Sequence, residues 1–441
     1  MFPSNRVSDA SDIFYEHQYG FRSKHNVSHP LLHFSEKIFD ALNNNKFNIA
    51  IFLDLKKAFD TVNYEILLKK LEHYGIKSTE LLWFTNYLKN RQQYVHLSSI
   101  SGVSNVNSSK LPCSSGIPQG SCLGPLLFLF FINDLANATS MFTLLFADDC
   151  TFQISGSDTM TLIQKANKEL ESAEQWFNSN QLTINAKKSK FILFQDPNTH
   201  THVTNLYVGD SIITRVGNMC LEKSVRFLGI WIDDTLCFSG HIEKLKAKLN
   251  SGLYALSTCN QLVPLKIRKT IYRSLIESHL RFGTIIFGAA NPKLLEPISI
   301  LQRKAVRHVA RAYYNAHTDV LFKSFQFLKY NDLVQLSQCI FMRQYSNKKL
   351  PQSFTNMFEQ LPLSQQIFRD HEYNFVPRTV NKTFLKFFPV VQLVRAWNGS
   401  QLLVKSEAEI IDMKDFFIGK CLSEYEEECL KDNCYVCNRR L

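Results

Sequence analysis

The sequence has no apolar run long enough to cross a membrane, because its longest, residues 126–132, is far shorter than the roughly 20 residues of a spanning helix. Residues 1–12 lack the apolar core of a secretory signal, so we expect an intracellular protein with no membrane partner. The eleven cysteines are odd in number and scattered, which favours a reducing compartment over a disulfide framework. Fixed-period repeats are also absent, and without a His-Glu-x-x-His pairing no histidine is assigned to a metal. The Rossmann and Walker phosphate loops are missing as well, which disfavours a small-molecule enzyme.

What the sequence does contain is a large apolar fraction and an excess of positive charge. Of the 441 residues, 45% are hydrophobic and 12% aromatic, enough to bury a substantial core. At roughly 150 residues per domain, this length suggests about three domains. The formal net charge of +11 favours a polyanionic partner, either nucleic acid or an acidic surface.

Hydrophobic periodicity predicts an α+β first half and a largely helical second half. Strands are predicted at 48–53 and 190–194, and two apolar runs flanking an Asp-Asp pair predict a hairpin over 141–154. Pro125 is well placed in the first turn of an apolar helix. Apolar residues at helical spacing predict further helices at 28–46, 63–90, 162–178, 241–256, 265–281 and 294–312.

Three short motifs lie where side chains can do chemistry. Asp54 follows a predicted buried strand, where it either holds a metal at the sheet edge or caps the next helix. Asp148 and Asp149 repel each other in a predicted tight turn unless a cation or solvent screens them, so a metal site and a solvated turn both stay open. Residues 115–121 (Ser-Gly-Ile-Pro-Gln-Gly-Ser) form either a shaped loop that a ligand can approach closely or a plain turn.

The order of these three motifs resembles the palm of reverse transcriptases. Their amino-acid sequences resemble those of the non-LTR retrotransposon branch, especially jockey-like elements. Other segments resemble the second fingers motif (19–22), the stretch between the first two palm motifs (86–95), the fourth motif (181–188) and the fifth motif (227–230). The resemblance covers about residues 15–330 and implies an α+β right-hand polymerase. Its expected parts are partial fingers (1–48), a palm with inserted fingers elements (49–235, with the reverse transcriptase domain at about 15–235), a helical thumb (236–325) and a C-terminal extension without an assigned role (326–441).

The resemblance implies an RNA-directed DNA polymerase that adds deoxynucleotides to a DNA primer on an RNA template. Asp54, Asp148 and Asp149, assisted by the Leu55 carbonyl, would hold two Mg²⁺ ions, for which Mn²⁺ is a substitute. Two such cations lower the pKa of a primer 3′-hydroxyl and stabilise charge on the leaving pyrophosphate. The family also implies an element RNA in a ribonucleoprotein and a location in nucleus and cytoplasm.

Five residues match nucleotide-binding positions of the family. Phe59 matches a steric gate that excludes the ribose 2′-hydroxyl, the alternative being an ordinary core aromatic residue. Gln119 and Gly120 match the loop beside the nascent base pair, and Arg22 matches a fingers arginine for the triphosphate. Lys188 matches a lysine that assists pyrophosphate departure, with two neighbouring lysines as alternatives.

The helical second half offers basic residues for a polyanionic strand. Arg303, Arg307 and Arg311 recur every four residues and are expected on one helix face, and Lys266 and Lys269 lie on a preceding helix. The resemblance implies a thumb that grips the template–primer backbone there, and the alternative is a solvated surface.

Some features depart from the family. An endonuclease and the first fingers motif generally precede the Gly-Phe-Arg motif, and we expect this chain to lack both, together with part of the nucleotide pocket. Cys421, Cys429, Cys434 and Cys437 include one Cys-x-x-Cys pair, for which a plain reduced tail is favoured over a zinc site. One rival hypothesis is a catalytically impaired nucleic-acid-binding remnant or domesticated palm scaffold. Another is an intron maturase, and the jockey-like motif sequences argue against it.

Overall fold

The computed structural model describes residues 13–98, 105–197, 199, 205–362, 374–400, 404–405 and 410–425. In this part of the chain the helices are α1 (Ser28–Asn43), α2 (Tyr64–His73), α3 (Ser78–Leu88), α4 (Gly124–Ile132), α5 (Thr159–Ser179), α6 (Ser239–Cys259), α7 (Leu265–Tyr272), α8 (Ser278–Arg281), α9 (Thr284–Phe287), α10 (Pro292–Ala310), α11 (Asp319–Phe325), α12 (Tyr330–Ser346), α13 (Pro389–Asn398) and α14 (Ile410–Glu424). The strands are β1 (Phe47–Leu53), β2 (Gln92–Gln93), β3 (His96–Ser98), β4 (Asn105–Asn107), β5 (Leu111–Pro112), β6 (Phe142–Phe146), β7 (Asp149–Gly156), β8 (Lys190–Phe194), β9 (Leu206–Val208), β10 (Ser211–Val216), β11 (Ser224–Phe227) and β12 (Ile230–Asp233).

The chain divides into two compact units. The first combines Met1–Asn26, Lys46–Leu193 and Thr199–Arg215, and the second combines Val27–Asn45, Phe194–Asn198 and Val216–Leu441. The α+β character predicted for the first half and the mainly helical second half are confirmed.

The first unit is built on a six-stranded sheet with the strand order β6-β7-β1-β8-β10-β9. Strand β1 pairs antiparallel with β7, in a register that ends with Leu53 opposite Cys150. Strand β6 pairs with β7 on its other side, which confirms the predicted hairpin. Because Ile49, Ala50 and Ile51 are all fully buried, both faces of β1 are covered, and this explains its continuous apolar sequence.

Helices α2, α4 and α5 pack with this sheet in one hydrophobic core. Pro125 lies in the first turn of α4 as predicted, where a missing backbone N–H leaves no partner unsatisfied. The side chain of Asn63 caps α2 by accepting hydrogen bonds from two backbone amides, and that of Asp158 caps α5 by accepting one from the Thr161 amide. These caps set where both helices start.

Two predicted helices are interrupted. The helical spacing of 63–90 divides into α2 and α3 around Gly75, whose φ of +91° suits glycine alone. The segment 265–281 forms α7 and α8 joined by a π-helical turn at Arg273–Glu277. Periodicity misses both breaks because the flanking apolar residues keep nearly the same spacing.

The second unit contains the β11–β12 hairpin followed by helices. Helix α6 packs on α7 and α10, and α12 packs on α13 and α14. Helix α1 also belongs here, against α9 and α13, where Arg378 binds Glu36 (2.7 Å) and Asp40 (3.3 Å). The C-terminal extension, for which the sequence offered no role, therefore packs against α1. The fingers, palm and thumb boundaries stay a prediction, although α1, expected in the fingers, packs with the C-terminal part.

Two chemical expectations concern the whole chain. In the described residues no helix combines the length and apolar character that a membrane crossing requires. The cysteines that the structure describes, Cys421 among them, are free thiols. The other members of the proposed zinc cluster, Cys429, Cys434 and Cys437, lie outside the described residues.

Candidate active site

Three acidic residues lie at one end of the β6-β7-β1 sheet. Asp54 comes one residue after Leu53, whose partner on β7 is Cys150, so the same register carried one step further places Asp54 opposite Asp149. Asp148 lies in the two-residue turn between β6 and β7, which is closed by the Phe146–Asp149 pair. The two acidic motifs, far apart in sequence, are therefore neighbours because of strand pairing.

The turn that carries Asp148 has an unusual backbone. Ala147, its first residue, has a φ of +58°, a conformation that glycine usually supplies in such turns. The segment around Tyr19 runs alongside, since the Tyr19 amide donates to the Leu145 carbonyl (2.8 Å). A Cβ added to Gly20 would lie 2.3 Å from the Ala147 nitrogen, so this close approach requires glycine. The fingers-like Tyr-Gly motif therefore packs directly on the acidic turn.

Asp54 is oriented by the loop that precedes β8. The Asn185 side chain donates from Nδ2 to Asp54 Oδ2 (2.9 Å), and its backbone amide donates to the Asp54 carbonyl (2.7 Å). The Asp54 amide donates to the hydroxyl of the fully buried Ser189 (3.2 Å). Leu55 forms an isolated antiparallel bridge with Ile184. The segment that resembles the fourth motif thus fixes both the backbone and the carboxylate of Asp54.

The acidic cluster is electrostatically unbalanced. Desolvation, together with the negative charges of Asp148 and Asp54, raises the pKa of Asp149 to about 6. No lysine or arginine in the described part of the chain forms an ion pair with any of the three acids. Unpaired carboxylates that repel one another are a donor set suited to a hard divalent cation, whose charge would reverse this shift.

The side chains are not preassembled as a closed metal centre. Among the described residues, no three acidic, histidine or cysteine side chains lie close enough together to form a ready-made metal site. The residue types fit a divalent cation.

The loop at 115–121 packs against the turn that follows β1. Gly116 has a φ of +87°, and a Cβ there would lie 2.6 Å from the Asp60 carbonyl oxygen. Gln119 donates from Nε2 to Asp60 Oδ1 (2.8 Å). Gly120 has a φ of +80° and faces open space. The loop is therefore shaped by glycine and anchored beside Phe59, one residue before Asp60.

Phe59 is half-buried, with one face against the ring of Phe128 at a centroid distance of 4.4 Å. It packs against the core without being enclosed by it. The gate and core interpretations are thus compatible for this residue.

The sequence profile of the family described as "Reverse transcriptase (RNA-dependent DNA polymerase)" matches residues 3–232, more than half of the chain. The chain belongs to the reverse transcriptase family. The matched region includes all three acids, the 115–121 loop and the Asn185 segment.

Relatives of this reverse transcriptase come from mobile elements. The RNA-directed DNA polymerase from mobile element jockey of Drosophila melanogaster is 25% identical over 346 residues, which cover 75% of this chain and 36% of the relative. The probable RNA-directed DNA polymerase from transposon X-element of the same species is 27% identical over 317 residues, covering 68% and 32%. The predicted resemblance to non-LTR retrotransposon enzymes is confirmed, and the chain spans about a third of these relatives' length.

Among solved structures, telomerase from Candida albicans, in complex with a fragment of telomeric RNA, is 13% identical with a TM-score of 0.33. That match covers 74% of this chain and 56% of the telomerase chain.

Two predicted nucleotide-binding residues of this reverse transcriptase, Arg22 and Lys188, differ in their contacts with the rest of the chain. Arg22 donates from Nη1 to the carbonyls of Tyr15 (2.9 Å) and Gln18 (3.1 Å), and burial lowers its pKa. Lys188 is exposed on the loop that holds Asp54. Arg22 therefore braces the fingers-like segment, and the triphosphate roles of both residues stay predictions.

The basic residues expected in the thumb lie in the second unit. Lys266 is exposed on α7, whereas the Lys269 ammonium lies 4.9 Å from the centroid of the Phe325 ring. The three arginines make intramolecular contacts, Arg303 with Glu296 (2.9 Å), Arg307 with the Ala316 carbonyl (2.8 Å) and Arg311 with the carbonyls of Asn260 (2.8 Å) and Val263 (3.2 Å). Because Arg311 follows the last residue of α10 with a φ of +56°, it does not extend the helix face as predicted.

Sequence reasoning passed over Gln18, Asn185 and Ser189 as individual site residues. Asn185 was within a recognised motif, but its partner Asp54 lies 131 residues away. Gln18 directly precedes the Tyr-Gly pair, and its partner Ala147 lies 129 residues away. The sequence signal for such residues is a polar side chain within or beside a motif, and it does not name the partner.

Proposed function

We propose that this chain is the polymerase part of a non-LTR retrotransposon RNA-directed DNA polymerase. It would add deoxynucleotides to the 3′-hydroxyl of a DNA primer on an RNA template. The observation that carries the proposal is the convergence of Asp54, Asp148 and Asp149 at one sheet end without a cationic partner in the described residues. Relatives named as RNA-directed DNA polymerases support it.

We assign the three acids, with the Leu55 carbonyl, as the residues that would hold two Mg²⁺ ions, Mn²⁺ being the substitute. When bound, such ions supply a lowered pKa for the attacking hydroxyl and charge stabilisation on the pyrophosphate. The chain's own contribution is orientation, because Asn185 holds one carboxylate oxygen of Asp54 and the turn backbone directs Asp148.

The nucleotide would be positioned by residues around the acids. Phe59, fixed on Phe128, would exclude a ribose 2′-hydroxyl, and the Gln119-Gly120 loop would lie beside the base pair. Lys188 would place positive charge near the pyrophosphate, and Arg22 would contribute to the triphosphate site. Of these five, Gly120 is suited to close backbone approach, since no atom lies within 4 Å of its missing Cβ.

The template–primer would bind to basic surfaces such as a cleft in the second unit. This cleft has a volume of about 370 Å³, and the Lys244 ammonium lies 4.2 Å from the centroid of the Trp231 ring at its wall. Burial lowers the pKa of His241 in the same cleft to about 4, so the lysines and Arg226 supply its charge at neutral pH. Positive charge beside an aromatic ring suits a nucleic acid strand. Assembly with the element RNA and action in nucleus and cytoplasm belong to this proposal.

Primer extension by the purified chain on a primed RNA template, with Mg²⁺ and deoxynucleotides, tests the proposal. Extension should vanish in Asp148→Ala and persist in Asp210→Ala, which removes an exposed acid from another turn of the same unit. A follow-up with ribonucleotides and Phe59→Ala tests the gate. A folded chain that binds template–primer without extending it would favour the alternative, a catalytically impaired remnant or scaffold.

A further inference from the structure

The side chain of Gln18 connects the fingers-like segment to the acidic turn. It is fully buried, and its Oε1 accepts hydrogen bonds from the backbone amides of Gly20 (2.9 Å) and Ala147 (3.1 Å). One oxygen therefore joins two chain segments, and one of its donors belongs to the turn residue that precedes Asp148.

The turn needs this acceptor for a backbone reason. The Phe146–Asp149 pair closes the hairpin, so Ala147 belongs to the turn and its backbone amide is not part of the hydrogen-bond ladder between β6 and β7. Ala147 is buried and has a φ of +58°, so its amide is shielded from water in a conformation that alanine rarely adopts. Gln18 satisfies that amide and favours the observed conformation over the alternatives open to alanine.

Gln18 is itself held from several sides. The flanking backbone pairs with Leu145 through the Tyr19 amide (2.8 Å) and the His17 carbonyl (3.0 Å). The Gln18 carbonyl accepts from Arg22 Nη1 at 3.1 Å. Since Gly20 allows the two backbones to approach, the carboxamide has a fixed place from which to bind the turn.

We propose that Gln18 is a positioning residue of the polymerase reaction, which fixes the Ala147-Asp148 turn and thereby the direction in which Asp148 presents its carboxylate. This inference rests on the proposed function for its catalytic consequence, but its structural part concerns the turn alone. The proposed role requires an acceptor oxygen at the distance from the backbone that a glutamine side chain provides. Methionine lacks such an oxygen, and glutamate has one. A glutamate keeps an acceptor oxygen at this reach whether or not its carboxyl group is protonated.

The test compares Gln18→Met with Gln18→Glu and with a matched control, Gln153→Met. Gln153 is a buried glutamine of the same hairpin, located on β7 opposite Phe142 and away from the turn. In steady-state primer extension, Gln18→Met should lower kcat by about 10- to 100-fold with KM for the deoxynucleotide nearly unchanged. Gln18→Glu should recover most of kcat, and Gln153→Met should keep it.

A second readout does not depend on polymerase activity. In titrations of the complete chain with Mn²⁺, followed by electron paramagnetic resonance, Gln18→Met should weaken cation affinity by about tenfold. Gln18→Glu and Gln153→Met should bind Mn²⁺ as the unmodified chain does. If the unmodified chain binds Mn²⁺ but extends no primer, the proposed function fails while the Gln18 inference is still decided by this titration.

Thermal unfolding identifies variants that do not fold, and Gln18→Asn, which withdraws the oxygen by one methylene, then replaces Gln18→Met. Equal losses of Mn²⁺ affinity and kcat in Gln18→Met and Gln153→Met would reduce Gln18 to a core residue. A folded Gln18→Met or Gln18→Asn with unchanged Mn²⁺ affinity would overturn the inference.

Discussion

At the scale of single residues, Asp149 opposes folding at neutral pH. Asp149 has a pKa of about 6 in the folded chain against an ordinary 3.8, so the folded state binds its proton more tightly than the unfolded state does. Stability from this group is therefore complete below about pH 4 and is lost as the pH rises through 6. A residue kept at such a cost is better explained by a bound cation than by the fold.

Asp149→Asn should accordingly stabilise the metal-free chain at pH 7 and leave it unchanged near pH 4. Neighbouring groups desolvate the Asp149 carboxyl in part, but the residue as a whole is exposed. Because solvent screens its charge, the expected gain at pH 7 is only about 1 kcal/mol. Urea denaturation at both pH values measures the difference. Asp415→Asn, which removes an exposed acid from α14, is the control and should change neither value. A gain from Asp149→Asn of equal size at both pH values would contradict the electrostatic explanation.

Asn185 makes its prediction through Asp54. Asn185→Ala removes the amide that binds Asp54 Oδ2 at 2.9 Å, so the carboxylate loses its fixed direction. We expect kcat of primer extension to fall by about 10- to 100-fold, as with other residues that orient metal ligands. Asn178→Ala, at an exposed position near the end of α5, is the control. Unchanged kcat in Asn185→Ala would mean that strand pairing alone orients Asp54.

At the scale of elements, two glycines of the 115–121 loop allow the cost of a positive φ to be distinguished from the cost of a steric clash. Gly116 and Gly120 both have positive φ, +87° and +80°, but only at Gly116 would a Cβ meet an atom, the Asp60 carbonyl oxygen at 2.6 Å. Gly120→Ala should cost about 1 kcal/mol of conformational strain, and Gly116→Ala about 3 kcal/mol because the loop must also move.

Urea denaturation of both variants measures these costs. Since displacing the loop also moves Gln119 away from Asp60, Gly116→Ala should reduce primer extension more than its stability loss explains. Equal losses of stability in the two variants would show that the loop accommodates a Cβ at position 116 without an additional energetic cost.

Local pattern predicted the elements well where burial and pairing agree. Strand β1 and the β6–β7 hairpin were predicted, because continuous apolar sequence and a two-residue polar turn leave few alternatives. What could not be predicted is contact between distant segments. The bonds of Gln18 to Ala147 and of Asn185 to Asp54 depend on the folded sheet, and α1 gave no sign that its partners include Arg378.

At the scale of the whole molecule, the net charge of +11 is the property that bears most directly on nucleic acid. Positive side chains release counterions from a polyanion, so affinity should fall steeply with salt. The structure indicates which side chains are available for this. Lys266 and Arg311 are both exposed, but the Arg311 guanidinium, like those of Arg303 and Arg307, is already held by groups of this chain.

Lys266→Ala should therefore reduce the slope of log affinity against log salt by about one for an RNA–DNA duplex. Arg311→Ala should act differently, lowering the melting temperature because the carbonyls of Asn260 and Val263 lose their donor, while the slope changes little. Fluorescence anisotropy across a salt series and thermal unfolding distinguish the two effects. Lys414→Ala, an exposed lysine on α14, serves as the control for bulk charge and should alter neither the slope nor the melting temperature. If all three variants shifted the slope equally, net charge and not a defined surface would govern binding.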